Sequence, residues 1–493
     1  MPDLRHLLLT TALALAACSQ GEGGAEGGPQ RDPALQRLIE DAEFEMGKGN
    51  LSEAGRLFDQ ALEMDRDDAG IWVDIARLRF RGGEHQGAIE AADHALSLDS
   101  QFAPALLIRA QLVRDAFGLA AALPWFERGL EQHPDDVGLL ADYAATLGDL
   151  GRHSDMLAVV RRLAEIEPRE PRVHYLQAVL AARAGDPILA SSLLKRSGMR
   201  DSEVPSAVLL GAIADMQQGT FDNAVGELDD LFKRQPANQR VAELLAQAMW
   251  LAGRDREIVD RFGQSAAAAS ASPYLVLLVG RSFERLGERD KAAQFIERAR
   301  TMRSDGVALP LAPASAAQGL PQPTATMRQY VSASDWAGAS QYASQLVQRF
   351  PGSSDILALA GDAALAKGDT VGALSLYGRA AKIRRPWPLT RKIIHAYRTL
   401  GDTDAADALL VRHINAEPRN AEALAMFARR SAADEDWLRV SVLLDTAITL
   451  GAGNDPELLA LRARAARELG EEEAASQFEA ALAQLRPAPF VKR

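Results

Sequence analysis

The residues able to do covalent or metal chemistry are few in this chain, and their spacing is uninformative for catalysis. Eight histidines stand at positions 6, 85, 94, 133, 153, 174, 395 and 413, with no HExxH or other metal-ligand spacing among them. His85 and His94, nine apart across a turn and a helix start, are expected at the surface. There is no GxSxG nucleophile turn and no GxxxxGK[ST] phosphate loop, and the glycine cluster near the N-terminus follows no strand and opens no helix. Carboxylate pairs are abundant but fall on polar helix faces, where solvation is their ordinary fate. The residues point away from an enzyme, a metal protein or a cofactor protein. What remains is one thiol, Cys18, and an unusual set of arginines.

Stepping along the chain shows what would position those arginines. Glycines 151, 185, 219, 253 and 287 are each 34 residues apart, and Ala54, Ala88 and Ala122 keep the same step. Around each glycine lies a small residue seven before and, in most units, another five after, followed by an aromatic or aliphatic residue at plus four. Small residues let two antiparallel helices approach closely, glycine relieves the tight turn between them, and proline stops the second helix. The segment Ile71–Gln101, with Trp72, Ala76, Gly83, Ala88 and Ala95, carries the pattern fully. In the fourth unit Met156 replaces a small residue, and Ile258 does so in the seventh.

These offsets resemble the tetratricopeptide repeat. The resemblance covers about Pro33–Pro487, roughly twelve or thirteen units. It implies an all-α fold, a right-handed superhelical solenoid of helix-turn-helix repeats. An array of about eight repeats is expected over 33–303. A Pro/Ala-rich linker follows over 304–325, carrying Pro310, Pro313, Pro321 and Pro323. A looser second array of four to five repeats is expected over 326–487, opening with a shortened first helix, and 488–493 is a short basic tail. At 493 residues a globular chain would form roughly three or four domains, but a repeat array grows its core along one axis.

The N-terminus differs in kind. Arg5 and His6 precede an apolar run, Leu7–Ala17, too short to span a bilayer stably. Leu15-Ala16-Ala17-Cys18 resembles the bacterial lipobox, which implies cleavage of residues 1–17 and diacylation of Cys18, the single cysteine of the chain. Ser19 after the cysteine implies, by the same resemblance, sorting to the outer membrane with the protein facing the periplasm. The alternative is an ordinary secretory peptide with an incidental cysteine. Residues 18–32 include five glycines and no apolar cluster, so they read as a flexible tether.

In a repeat array of this type the binding surface is the concave face, lined by the first helix of each unit. The inward register selects Arg77, Phe80, Arg81 and Arg114, then Arg172, Tyr175 and Arg183. Further along it selects Arg240, Trp250, Tyr274, Arg281 and Arg285, and in the second array Arg391 and Arg398. Arginine outweighs acid on this face although the whole chain carries a net charge of −12, and arginine with tyrosine and tryptophan is the composition of a binding surface. The competing expectation is that these arginines pair with neighbouring Glu43, Asp115, Glu243, Glu284 or Glu468, the aromatics being packing between helices. The acidic, evenly mixed charge argues against nucleic acid. The expected role is a membrane-anchored scaffold for protein partners of a cell-envelope assembly: exopolysaccharide export, pilus or secretion. An acidic polysaccharide lying along the arginines is the alternative ligand.

Overall fold

The computed structural model of the chain describes residues 31–302 and 322–485, apart from 237, 269 and 270. Cys18, the expected signal peptide and the tail lie outside the described residues, as do all of the tether but its last two residues and nearly all of the expected linker.

Among the described residues the structure is helical: twenty-six α-helices pair in chain order as thirteen hairpins. The first eight are α1 (Pro33–Gly47), α2 (Leu51–Met64), α3 (Ala69–Arg81), α4 (His85–Leu98), α5 (Ala103–Phe117), α6 (Leu119–Gln132), α7 (Val137–Asp149) and α8 (His153–Ile166). Odd-numbered helices are the first of each repeat. The array continues through α9 (Pro171–Arg183), α10 (Pro187–Ser197), α11 (Pro205–Gln218), α12 (Phe221–Arg234), α13 (Gln239–Leu251), α14 (Asp255–Ala267), α15 (Pro273–Arg285) and α16 (Arg289–Thr301). Five more hairpins follow the expected linker. They are α17 (Gln322–Ser332), α18 (Trp336–Arg349), α19 (Ser354–Lys367), α20 (Thr370–Ile383), α21 (Trp387–Thr399), α22 (Thr403–Ala416), α23 (Ala421–Ala433), α24 (Trp437–Thr449), α25 (Pro456–Glu468) and α26 (Glu472–Leu485).

Local chemistry explains the boundaries. Glycines 151, 185, 219, 253 and 287 all have φ between 74° and 82°, a left-handed turn conformation that a side chain would strain. Asp68, Asn238 and Asp455 stand before α3, α13 and α25 and accept hydrogen bonds from the first free N–H groups of those helices. Prolines 171, 187, 205, 273 and 456 occupy first-turn positions, where the missing N–H costs no bond. The same allowance explains α17. It starts at Gln322, four residues before the expected start of the second array, with Pro323 in its first turn. At eleven residues it is the short first helix expected there.

Packing follows the small-residue pattern. Ala54, Ala88, Ala122, Ala190, Ala224 and Ala292 are fully buried where second helices meet first helices. Met156, in a small-residue position, is also buried, and the space comes from the partner helix: a Cβ on Gly148 would lie 2.6 Å from the Met156 sulfur. Gly361 likewise faces the ring of Tyr377, where a Cβ would come within 2.5 Å. The bulk of one helix is matched by the absence of a side chain on its neighbour.

Two compact units result. The first unit combines residues up to 146 with 335–402, and its two segments meet through their turns. The Gln86 N–H donates to the Gly352 carbonyl at 3.1 Å, and the Arg385 N–H donates to the Ala116 carbonyl at 2.6 Å. The second unit combines 147–334 with 403 onward. In it α16 packs on α25, and the Arg419 guanidinium lies over the Gly151 turn, 2.5 Å from where a Cβ would be.

Candidate partner-binding face

In the first unit, Arg77 reaches back one turn of α3 to Asp74 at 2.6 Å. Asp74 is 7 % exposed, and burial pushes its carboxyl up to about 6 against the pull of Arg77. The Phe80 ring packs edge-on against His85, 5.8 Å between centroids. Arg81 is exposed and donates to the Met46 carbonyl at 3.2 Å. Arg114 bonds Asp142 at 2.9 Å and the Thr146 hydroxyl at 3.0 Å. Arg391 and Arg398 are half-buried on α21, and each has an interaction partner.

In the second unit the repeat brings equivalent positions of α9, α11, α13 and α15 into rows. Arg172, Ser206, Arg240 and Tyr274 form one such row at the 34-residue step, and Ala182, Met216, Trp250 and Glu284 another. Arg172 pairs with Glu170 at 2.8 Å and Arg240 with Glu243 at 3.4 Å. Arg281 approaches Glu284 at 3.9 Å. Tyr175 is 5 % exposed, and burial raises its phenol to about 12. Tyr274 is half-buried, and burial raises its phenol too. Arg285 stacks its guanidinium 3.7 Å from the centre of the Trp250 ring and donates to the Trp250 carbonyl at 2.9 Å. One turn apart on α13, the Gln247 Oε1 acceptor and the Trp250 Nε1 donor have no hydrogen-bond partner.

The arginine excess is therefore largely neutralised locally. Glu243 and Glu284 pair as the neighbour reading anticipates, whereas Arg77 takes Asp74 rather than Glu43, and Asp115 is taken by Arg384 at 2.9 Å rather than by Arg114. His94 is exposed, with its ring 4.2 Å from that of Trp72. His85 corrects the surface expectation: it is 5 % exposed, because the turn between α20 and α21 covers it. Its Nε2 accepts from Arg384 Nη1 at 2.9 Å, a guanidinium having donors only. In the second unit His153 accepts in the same way from Arg183 Nη1 at 3.1 Å. Burial, reinforced by Arg419, lowers Arg183 to about 10. Arg384, Arg385 and Arg419 are the turn-to-turn contacts that repeat offsets did not select; they lie in turns between repeats, outside the inward register. Among the described residues no group of histidine and acid side chains could hold a metal ion, and no helix is long and apolar enough to cross a membrane.

Residues 45–112 match one tetratricopeptide repeat family model and residues 327–388 match another. Comparison with curated protein sequences gives no match. Among solved structures the chain is similar to PilW, described as a widely conserved type IV pilus biogenesis factor, at 18 % identity over 43 % of this chain and 97 % of that one, with a TM-score of 0.33. It is similar to a tetratricopeptide repeat protein from Parabacteroides merdae at 16 % identity, over 55 % and 94 % of the two chains, with a TM-score of 0.27. For the MamA protein the values are 15 %, 34 % and 92 %, and 0.26. At such scores none of these likenesses assigns a partner or a cellular role. Both family matches fall on helical hairpins of repeat geometry, so residues 45–112 and 327–388 are tetratricopeptide repeats, and the all-α repeat fold extends through the other described hairpins.

Proposed function

We propose that this protein is a lipid-anchored, periplasm-facing scaffold that holds protein partners of a cell-envelope assembly on the first-helix face of its repeats. The fold itself is that of a protein–protein interaction scaffold, and repeat proteins of this family are generally not enzymes. One observation carries the choice of face. On α13 an unfilled acceptor and an unfilled donor, Gln247 Oε1 and Trp250 Nε1, stand one turn apart beside the Arg285–Trp250 stack. Both atoms are buried, so a ligand backbone reaches them only when the Arg285–Trp250 stack shifts, and the cost of about 1–3 kcal/mol of a buried polar group without a partner favours that exchange. The membrane anchor rests on Cys18 and the residues before it, with export and outer-membrane sorting following from the same stretch. An acidic glycan is the weaker ligand reading, because Arg77, Arg114, Arg172 and Arg240 already face carboxylates.

The anchor is tested by metabolic labelling with palmitate and membrane fractionation of the wild type and Cys18→Ala. Label on the wild type alone, with the variant released from the membrane fraction, supports the reading. Equal partitioning and no label would remove the anchor from it. The choice of ligand is tested on the purified protein by titrating an acidic polysaccharide at rising salt. Salt-sensitive binding that Arg281→Glu with Arg285→Glu abolishes would favour the glycan over a protein partner.

A further inference from the structure

Two histidines occupy one repeat position and one chemical situation. His85 and His153 each open the second helix of a hairpin, two residues past the turn glycines Gly83 and Gly151. Each Nε2 accepts a hydrogen bond from a guanidinium, which only an unprotonated imidazole can do. Each Nδ1, which then carries the proton, is buried without a partner. The guanidinium at His85 comes from a turn far along the chain, that of Arg384, whereas the one at His153 comes from Arg183 on α9 of the next hairpin, with Arg419 against the neighbouring Gly151 turn.

We propose that His85 is a proton-operated latch, holding the α20–α21 turn of its own unit in place only while its imidazole is neutral; His153 is its chemical counterpart against Arg183 of the adjacent hairpin. At His85 the facing groups are Arg384 from the α20–α21 turn, Asp115 from α5 and Asp355 from α19, with the Phe80 ring against one edge. Protonation puts a second cation against Arg384 Nη1, removes the acceptor, and makes the imidazolium compete with Arg384 for Asp115 and Asp355. At His153 the facing groups are Arg183 from α9 and Arg419 from the α22–α23 turn, with Asp149 of α7 acting on both arginines. A proton there makes a third cation.

Both imidazoles are shifted in the same direction. Burial first, and then Arg384, hold His85 below its ordinary value, with Asp355 and Asp115 pulling the other way. Burial, Arg183 and Arg419 push His153 down to about 4. For a histidine depressed on folding, the unfolded chain takes up the proton first. Its contribution is therefore intact above the ordinary histidine value and lost as pH falls through the folded one. The His85 latch therefore releases on acidification.

Two backbone amides report the state of that latch directly: Arg385 N–H, bonded to Ala116, and Gln86 N–H, bonded to Gly352. Hydrogen exchange of the full chain is measured by mass spectrometry between about pH 7.5 and pH 5, corrected for intrinsic exchange, with α12 as the internal control. In the wild type, peptides holding these two amides are expected to lose protection about tenfold across that range while α12 does not. His85→Gln, which can still accept from Arg384 but takes up no proton, is expected to keep it. Unchanged protection in the wild type overturns the proposal, and that result does not depend on any variant folding. Loss of protection in His85→Gln to the same extent also overturns it.

Discussion

Arg384 and His85 meet through a guanidinium-to-imidazole hydrogen bond of 2.9 Å, which fastens the α20–α21 turn to the first residue of α4. The same guanidinium pairs with Asp115 at 2.9 Å, so one side chain satisfies a buried histidine and a half-buried carboxylate together. Burial holds Asp115 above the usual carboxylate range even with Arg384 in place. Arg384→Ala should therefore cost the first unit about 2 kcal/mol, since it leaves Asp115 without its counter-charge. Thermal unfolding of the variant checks this, and an unchanged midpoint would contradict it.

Asp74 gives a stability prediction with a sign. Its folded value of about 6 lies above that of an unfolded aspartate, so between about pH 4 and 6 the folded chain binds the extra proton and stability falls as pH rises. Above that window the ionised carboxylate is a net cost despite Arg77. Asp74→Asn should then be more stable than the wild type by about 1–3 kcal/mol at neutral pH, and the advantage should vanish near pH 4. Urea unfolding at the two pH values measures it. A variant less stable at neutral pH would refute the assignment.

Two glycine substitutions should act in opposite directions. A Cβ at Gly361 would lie 2.5 Å from the Tyr377 ring, which is fully buried and tied by its hydroxyl to Asp362 at 2.7 Å. Gly361→Ala should destabilise by about 1–3 kcal/mol. Gly226, in the middle of α12, has open space where a Cβ would go, so Gly226→Ala should stabilise by about 0.5–1 kcal/mol. Melting temperatures of the pair read both effects, and equal shifts would show that the packing is misassigned.

Much of the fold is legible in the sequence because its determinants are local. A left-handed turn demands glycine at 151, 185 and 219, and close helix approach demands alanine at 54, 88 and 122, whatever the rest of the chain does. Compensated exceptions are harder to read. Met156 looks like a broken repeat until Gly148 is seen opposite it. The docking of later turns on earlier ones leaves no periodic trace, because Arg384, Arg385 and Arg419 are single polar residues in turns and their partners lie hundreds of positions away. For the same reason His85 reads as a surface residue although it is buried. The arginine rows are legible as positions, but their neutralisation by Asp142, Glu170 and Asp74 depends on side-chain geometry that spacing does not specify.

A scaffold role requires that the first-helix face hold a protein. A photo-crosslinking residue placed at Trp250 in cells, compared with one at Ile188 on the second helix α10, where the side chain is 73 % exposed, tests it most directly. The Trp250 probe is expected to capture a defined set of envelope proteins, the Ile188 probe is not, and Arg281→Glu with Arg285→Glu is expected to remove the capture. Equal capture at both positions, or none at Trp250, would contradict that role.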